Sequence, residues 1–228
     1  SYKIFYETSG AGCPNSSTFD LAVTAAGVAN NFSMSFDGSN DYIEGTGSVI
    51  NGNESRTVSL WMKSSTAHYG VLFSTGEKSV TTANSKFALM VRSNVVVNGK
   101  YELRVYSYGA AGTINLEYPT TINLFDNNWH HISITYNSST RNAILYIDST
   151  QTDNKTFTAD LQSLSGYSIG TWVNGQFFNG LIDEVGIWNT VLTSTQIQRI
   201  YDATSTNLTK DLSTIESSNL KLWLRMGD

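Results

Sequence analysis

The chain has few charged residues and no long apolar run. Charged side chains make up 14% of its 228 residues, and its net charge is -5. A nucleic-acid partner needs basic side chains that neutralise phosphates, and the sequence contains no basic run. We therefore expect no binding to DNA or RNA. No apolar stretch approaches the length that crosses a bilayer, and Ser1 to Gly10 lacks the pattern of a signal peptide, so we expect no membrane insertion.

Cysteine is almost absent as well. Cys13 is the only one, so no disulfide can form within the chain and the fold must be held by burial or by a metal. We interpret Cys13 as a loop residue, because no base lies near it in sequence to activate the thiol. A chain of this length can bury roughly 70% of its unfolded surface, which is enough for one full core. Its polar residues are mainly Ser, Thr, Asn and Gly, which is typical of secreted or virion-exposed β proteins.

Short runs of alternating apolar and polar residues occupy most of the chain, and Gly, Asn or Ser separates each run from the next. In the run Arg56 to Lys63, Val58, Leu60 and Met62 alternate with polar residues, which predicts a half-exposed strand. No helical pattern lies between these runs. The pattern predicts an antiparallel β-sandwich.

The segment Phe178 to Leu192, F-N-G-L-I-D-E-V-G-I-W-N-T-V-L, predicts a central strand with apolar residues on both faces. Simple alternation places Asp183 on the same row as Val185 and Ile187, facing the core. A carboxylate in that position is costly unless a cation or several donors hold it. We therefore predict that Asp183 has a partner of this kind.

A short helix is predicted directly after this strand, from Ser194 to Ala203. Thr193 can cap its first turn, Gln196 can reach back to Thr193, and Leu192 can pack onto Ile197.

Three motifs carry a family resemblance: G-L-I-D-E-V-G-I-W-N at Gly180 to Asn189, S-F-D-G-S-N-D-Y-I at Ser35 to Ile43, and N-W-H-H-I-S-I-T-Y-N at Asn128 to Asn137. Together with the helix start they resemble the laminin G-like and pentraxin-like jelly rolls of the concanavalin A-like lectin/glucanase superfamily, as found in phage structural proteins and secreted adhesins. The resemblance covers Phe32 to Ala203. It implies an all-β jelly roll with one short C-terminal helix.

The sequence departs from this family at two positions. Relatives end the strand Ala143 to Asp148 with an Asp-Gly turn, whereas Ser149 follows here, so we expect a wider loop from Ser149 to Asn154. Relatives commonly carry Arg where Gly186 stands, and the bare backbone left by glycine would let another surface approach.

We place the jelly roll at residues 1–204 and a C-terminal extension at residues 205–228. The extension resembles a run that follows laminin G-like domains in structural polypeptides of tailed phages. It is either an extra strand that docks on the sandwich or the first strand of a following module.

The resemblance also implies a structural calcium ion, because it brings the turn from Asp37 to Asp41 near the closing strand. Calcium accepts carboxylate and carbonyl oxygens in loose geometry. We predict Asp183 as a side-chain ligand, with Asp37 or Asp41 contributing. In the alternative, Asp183 accepts hydrogen bonds from backbone amides and Asp37 only caps its turn.

Carbohydrate binding is the function that the fold suggests. Sugar sites stack aromatic rings on pyranose faces and add polar hydrogen bonds. Each candidate also has an explanation by packing alone. The candidate ligand-binding residues are Trp61, Tyr106, Tyr108, Trp172, Asn174 and Gln176.

The sequence contains no set of residues in a pattern that predicts catalysis. Glucanases of the superfamily carry the acid pair E-x-D-x-x-E, which is missing here, and Asp183 and Glu184 are adjacent on a strand and so point to opposite faces. For His130 and His131 we expect hydrogen-bonded framework roles. No Ser-His-Asp order, phosphate loop or zinc spacing occurs.

The sequence therefore predicts a non-enzymatic recognition or adhesion module that binds a surface glycan. Its predicted setting is an exposed structural protein, either in a virion or extracellular. The alternative is an architectural module that docks onto neighbouring virion or cell-surface proteins without binding sugar, and a glycan-cleaving enzyme ranks third.

Overall fold

The computed structural model describes residues 28–29, 33–76, 86–93, 96–107, 113–158, 160–172, 175–202, 208–209 and 211–225. Within them lie fifteen strands, one α-helix and one short 3-10 helix. The strands are β1 (Val28–Ala29), β2 (Met34–Asp37), β3 (Ile43–Gly45), β4 (Arg56–Lys63), β5 (Tyr69–Thr75), β6 (Ala88–Arg92), β7 (Lys100–Tyr106), β8 (Ile114–Pro119), β9 (Trp129–Asn137), β10 (Asn142–Ile147), β11 (Thr150–Thr156), β12 (Tyr167–Ile169), β13 (Asn179–Trp188), β14 (Leu208–Thr209) and β15 (Leu220–Leu224). The helices are α1 (Ser194–Tyr201) and the 3-10 helix Leu212–Thr214.

Two antiparallel sheets form the sandwich. The seven-stranded sheet has the order β11-β10-β9-β4-β13-β15, with β2 also paired to β13, and the six-stranded sheet has the order β3-β12-β5-β6-β7-β8. Strand β4 lies along one edge of β13, so β2 and β15 share the other edge end to end. β1 and β14 pair with each other separately. The predicted antiparallel jelly-roll sandwich with one short helix is confirmed.

The main core lies between the two sheets, where the alternate side chains of both sheets meet. A second core lies on the outer face of the seven-stranded sheet, under α1 and the C-terminal segment. It consists of Tyr146, Trp188, Leu192, Ile197, Ile200, Leu212 and Ile215. A third, small cluster lies on the outer face of the six-stranded sheet and consists of Val71, Ala88, Met90 and Trp172.

Strand β4 is buried on both faces, so the prediction of a half-exposed strand is wrong. Val58, Leu60 and Met62 enter the main core as predicted, but Thr57 and Ser59 on the opposite face are also buried. The second core covers that face. The apolar side chains of β4 are therefore buried in the main core, and its hydroxyl side chains are buried on the opposite face. The hydroxyl groups can be buried because they form hydrogen bonds on that face.

The turn between β10 and β11 is tight, which corrects the predicted wider loop at Ser149 to Asn154. Ile147 pairs with Thr150, which leaves Asp148 and Ser149 as the two turn residues. Both have positive φ, 49° and 65°, as the favoured two-residue hairpin turn requires. Asp148 tolerates this conformation because its carboxylate accepts a 2.9 Å hydrogen bond from the backbone N–H of His131.

Helix α1 has the predicted start. The Thr193 side chain accepts a hydrogen bond from the backbone N–H of Gln196, and the Gln196 side chain accepts one from the backbone of Thr193, which completes the capping box. Leu192 and Ile197 share the second core. No helix in the described ranges has the length and apolar character needed to cross a membrane.

The C-terminal strand β15 is part of the seven-stranded sheet through its pairing with β13. Trp223 Nε1 donates a 2.6 Å hydrogen bond to the buried Glu184 carboxylate, and Trp188 Nε1 donates a 2.7 Å bond to the carbonyl of Ile215. A Cβ on Gly186 would lie 2.5 Å from the Trp188 ring and 2.8 Å from Leu212. The surface that approaches Gly186 is therefore this chain's own second core.

Candidate functional site

Asp183 does not face the main core, contrary to the simple alternation in the sequence. It pairs with Trp61, whereas Gly186 pairs with Ser59, so β13 contains one extra residue at this point. This extra residue forms a β-bulge, in which Glu184 has a φ of 49°. Before the bulge, the residues that face the main core are therefore the opposite set from the one that simple alternation predicts. Ile182 and Val185 both enter the main core, and Asp183 shares the outer face with Trp61.

The three predicted calcium ligands do not meet at one site. Asn179 pairs with Asp37, so Asp183 lies four residues further along β13, about 13 Å away. Asp37 Oδ1 accepts from the N–H of Ser39 at 2.7 Å, and Asp41 Oδ2 accepts from the N–H of Asp37 at 3.0 Å. These carboxylates fit the predicted alternative, in which they cap their own turn.

Asp183 also accepts a backbone hydrogen bond, from the N–H of Glu184 at 2.8 Å. Within the ranges that the structure describes, no three His, Cys, Asp or Glu side chains form a group suited to a metal. The donors present therefore do not fit the predicted shared calcium site.

Trp61 occupies a packing position. It is 8% exposed and stacks on Tyr201 of α1, with ring centroids 5.6 Å apart and planes 13° apart. The ring of His131 lies 5.1 Å from that of Trp61 and 6.1 Å from that of Tyr201, so the three rings form one cluster. A pyranose could stack on Trp61 only after displacing the helix, so we leave it out of the candidate site.

The remaining described candidates meet on the outer face of the six-stranded sheet. Tyr106 contacts Trp172 edge-to-face, with centroids 4.6 Å apart, and both pack on the third cluster. The carbonyl of the exposed Gln176 accepts a 3.1 Å hydrogen bond from the N–H of Val71 in that cluster. Tyr108 and Asn174 lie outside the described residues. We call this surface the aromatic–arginine face; it consists of Tyr69, Arg92, Arg104, Tyr106, Asn115 and Trp172.

Tyr69 is the most exposed aromatic residue of this face, at 43%. It pairs across strands with Arg92, whose guanidinium lies 5.6 Å from the centre of the tyrosine ring. Arg92 in turn forms an ion pair with Glu102. Because the guanidinium holds the phenol from one side, the tyrosine ring is presented in a fixed orientation.

Arg104 lies in the middle of the face, paired with Met90 on one side and Asn115 on the other. Its Nε donates a 2.9 Å hydrogen bond to Asn115 Oδ1. Burial, followed by the charge of Arg92, lowers the pKa of Arg104. The site therefore combines aromatic rings with a guanidinium and an amide, the chemistry of a polar-ligand surface.

Four residues of this face were not predicted from the sequence: Tyr69, Arg92, Arg104 and Asn115. A period of two in β7 places Arg104 on the same face as Tyr106, so the sequence contained that signal. The pairing of Tyr69 with Arg92 depends on strand neighbours and on a register shift between Val71 and Phe73. Residue spacing gives no indication of that shift.

The histidines have framework contacts. His131 is fully buried, and its Nε2 lies 2.7 Å from Ser59 Oγ, while its Nδ1 has no hydrogen-bond partner in the described part of the chain. A serine and a histidine in contact resemble two members of a hydrolase triad, but the third group is missing from Nδ1 and two aromatic rings cover the pair. His130 lies 2.8 Å from an oxygen of Asp148 and 3.3 Å from one of Asp126.

These contacts predict that His130 titrates at a higher pH than the other two histidines. Burial opposes protonation of His130, but Asp148 and Asp126 outweigh it and raise the pKa above 6.5. Burial lowers the pKa of His68 and lowers that of His131 to about 4. We expect NMR titration of the ring resonances to show His130 protonating before both His68 and His131 as the pH falls.

The same shifts determine how stability depends on pH. The unfolded chain protonates His131 near pH 6.5 but the folded chain does so only near 4, so between these values His131 favours unfolding by about 1.4 kcal/mol for each pH unit of decrease. His130 has the opposite sign: its contribution is present below pH 6.5 and is lost as the pH rises through its folded pKa. A His131 ring that titrates near 6.5 would contradict the buried placement.

Sequence comparison identifies the family of this fold. Residues 37–198, more than half of the chain, match the Laminin G 3 family of the concanavalin A-like lectin/glucanases superfamily. The chain belongs to this family. Its laminin G-like domain includes the whole aromatic–arginine face. No curated protein sequence matches the chain.

Solved structures share the fold of this laminin G-like domain. The heptameric SAP-like pentraxin of Limulus polyphemus is 14% identical, with a TM-score of 0.60 over 88% of this chain and 94% of the pentraxin. Domain 4 of AbnA, an arabinanase of Geobacillus stearothermophilus solved with arabinotriose, is 19% identical, with a TM-score of 0.56 over 77% and 80%. The CBM40 module of the Ruminococcus gnavus IT-sialidase, bound to alpha2,3 sialyllactose, is 13% identical, with a TM-score of 0.52 over 75% and 97%.

Proposed function

We propose that this laminin G-like domain is a glycan-binding module and that the aromatic–arginine face is its binding surface. The observation that carries the proposal is the exposed ring of Tyr69 on the same sheet face as Arg104 and Asn115. An aromatic ring offers a flat apolar surface to the C–H groups of a pyranose, and guanidinium and amide groups bond its hydroxyls. Solved relatives with the same fold were crystallised with arabinotriose and sialyllactose, which supports a saccharide as the ligand class.

We also propose that the domain is non-enzymatic. Glu102 and Glu117 are cross-strand partners on the outer face, so they are candidates for the closely spaced acid pair of a retaining glycosidase. Cations hold both of them: Glu102 pairs with Arg92, and Glu117 pairs with Lys155 at 3.1 Å and Lys100 at 3.4 Å. The hydrogen bond and charge of Lys155 lower the pKa of Glu117, so that carboxyl stays ionised and has no proton to donate at neutral pH.

Calcium has no role in the proposed site. The carboxylates of Glu102 and Glu117 beside the face are held by cations, while calcium needs six or more oxygen ligands. The structural calcium implied by the family resemblance would therefore not take part in glycan binding. Its predicted ligand Asp183 lies on the other sheet.

The proposed setting is an exposed structural protein, either in a virion or extracellular. The low content of charged residues and the many Ser, Thr and Asn side chains support this setting. The alternative is an architectural module that binds neighbouring virion or cell-surface proteins through the same face.

A glycan array tests the proposal with two matched variants. Tyr69→Ala removes the exposed ring of the face, and Trp129→Ala removes a ring of similar exposure, 37%, from the seven-stranded sheet. We expect wild type and Trp129→Ala to bind the same glycans, in calcium and in EDTA alike. Tyr69→Ala should bind about tenfold more weakly, because a lost ring contact is worth roughly 1 kcal/mol or somewhat more.

Three outcomes would contradict the proposed function. Equal binding by Tyr69→Ala and wild type would place the sugar elsewhere. An array with no binding to any glycan, together with association with a neighbouring protein, would favour the architectural module. Release of reducing sugar from a bound polysaccharide would contradict the non-enzymatic role.

A further inference from the structure

The aromatic–arginine face contains one cation that no acid of the described residues balances. Arg92 pairs with Glu102, and Lys155 pairs with Glu117 at 3.1 Å and with Asp153 at 3.4 Å. Lys100 at the end of β7 also reaches Glu117, at 3.4 Å. Arg104 has no ion pair with any described residue, although it lies between these pairs.

The surroundings of Arg104 make this unbalanced charge costly. Its guanidinium is partly buried, and the like charge of Arg92 is close enough to lower its pKa further. Glu102 acts in the opposite direction, but its own carboxylate is already paired with Arg92. An anion at Arg104 would relieve both effects. Its charge and hydrogen bonds would replace the lost water contacts of the guanidinium, and it would screen the repulsion between the two guanidinium groups.

The guanidinium of Arg104 is already oriented for such an anion. Its Nε donates to Asn115 Oδ1 at 2.9 Å, which fixes the plane of the group. The two Nη atoms make no hydrogen bond to any described residue, so they remain as a pair of parallel donors. This fork matches the two oxygens of a carboxylate.

Local charge distinguishes this position from the rest of the molecule. The whole chain carries a net charge of -5, and its surface therefore repels acidic ligands in general. On the aromatic–arginine face the ion pairs cancel and a single positive charge remains. One unit of charge balances one carboxylate, whereas a phosphate monoester would bring up to two negative charges.

We propose that Arg104 is the subsite for a sugar carboxylate, so that the face prefers an acidic saccharide over its neutral counterpart. This inference rests on the proposed glycan-binding function and names its ligand class. In the bound state the carboxylate receives both Nη donors of Arg104, and the ring of the sugar lies on Tyr69 or Tyr106, the two tyrosines of the aromatic–arginine face.

Calorimetric titration with matched acidic and neutral probes tests the proposal. The probes are alpha2,3 sialyllactose against lactose, and trigalacturonic acid against its methyl ester, so that a sialic acid and a uronic acid are compared separately. We expect at least one acidic probe to bind about tenfold more tightly than its neutral partner, because hydrogen bonds to a charged group are worth that much. The preference should shrink as the salt concentration rises.

Variants link the preference to this one side chain. Arg104→Gln should abolish the preference for the acidic probe, so that the acidic and the neutral probe bind this variant with equal affinity. Arg199→Gln makes the same change of net charge on the exposed side of α1 and should leave the preference intact. Asn115→Ala keeps the charge of Arg104 but releases its orientation, so it should reduce the preference several-fold even if Arg104→Gln fails to fold.

The outcomes separate this inference from the proposed function. Equal affinity for acidic and neutral probes in the wild type, or a preference that survives both Arg104→Gln and Asn115→Ala, would overturn the inference while leaving glycan binding intact. The absence of binding to every saccharide, with capture of an acidic protein instead, would overturn both.

Discussion

Trp188→Ala is expected to lower the free energy of unfolding by about 4 kcal/mol, the usual cost of removing a fully buried large aromatic side chain. Trp188 fills the second core between β13 and the C-terminal segment. Its removal also leaves the carbonyl of Ile215 without the 2.7 Å hydrogen bond from the indole. Urea denaturation followed by circular dichroism measures the change.

Trp129→Ala is the control for this variant, because its indole is 37% exposed on the same sheet. We expect it to cost less than about 1 kcal/mol, as surface substitutions do. Equal losses in the two variants would show that the second core does not stabilise the sandwich.

Truncation after residue 204 is expected to have a still larger effect. The removed segment carries Leu212, Ile215 and Trp223, which cover Trp188 and the adjoining strand face. It also carries β15, which pairs with four of the ten residues of β13. Each buried aliphatic residue contributes about 2 kcal/mol or more, so the total loss rivals the entire stability of an ordinary domain. We expect residues 1–204 to show no cooperative thermal transition.

This truncation also tests the predicted domain boundary. A chain of residues 1–204 that melts cooperatively within about 3 °C of the full chain would show that residues 205–228 are an accessory segment. Because Trp223 donates a hydrogen bond to the buried Glu184 carboxylate, we expect the shortened chain to lose its cooperative transition instead. A matched control is removal of residues 226–228 alone, which should leave the transition unchanged.

Local chemistry explains why much of the fold could be predicted. The capping residues Thr193 and Gln196 lie within one turn of each other, so sequence spacing alone specifies the start of α1. The alternation in β4 identified its core residues correctly. It failed for the opposite face because the covering residues, such as Leu212 and Ile215, come from the far end of the chain.

The position of Asp183 shows a second limit of sequence patterns. A strict period of two assigns it to the core, but one extra residue in β13 reverses the alternation, and the positive φ falls on Glu184 instead of a glycine. No turn residue marks this bulge in the sequence. The predicted calcium site depended on that assignment and on a short distance between Asp183 and Asp37. In the structure the β2–β13 pairing begins at Asp37 and Asn179, and Asp183 lies beyond its other end.

The candidate site was predictable only in part for the same reason. Tyr106 and Trp172 were predicted from the sequence as candidate ligand-binding residues, and the structure brings them into contact. Arg104 and Tyr69 belong to strands that are not joined by one turn, so their shared face depends on the order of strands in the sheet. Sheet order is a long-range property that residue spacing does not encode.

Mapping of amide chemical shifts while the best glycan of the array is added tests the central claim most directly. We expect the largest shifts in β5, β6 and β7, around Tyr69, Arg92 and Arg104, and no change in the resonances of α1. Shifts concentrated around Trp129 and the outer face of the seven-stranded sheet would contradict it.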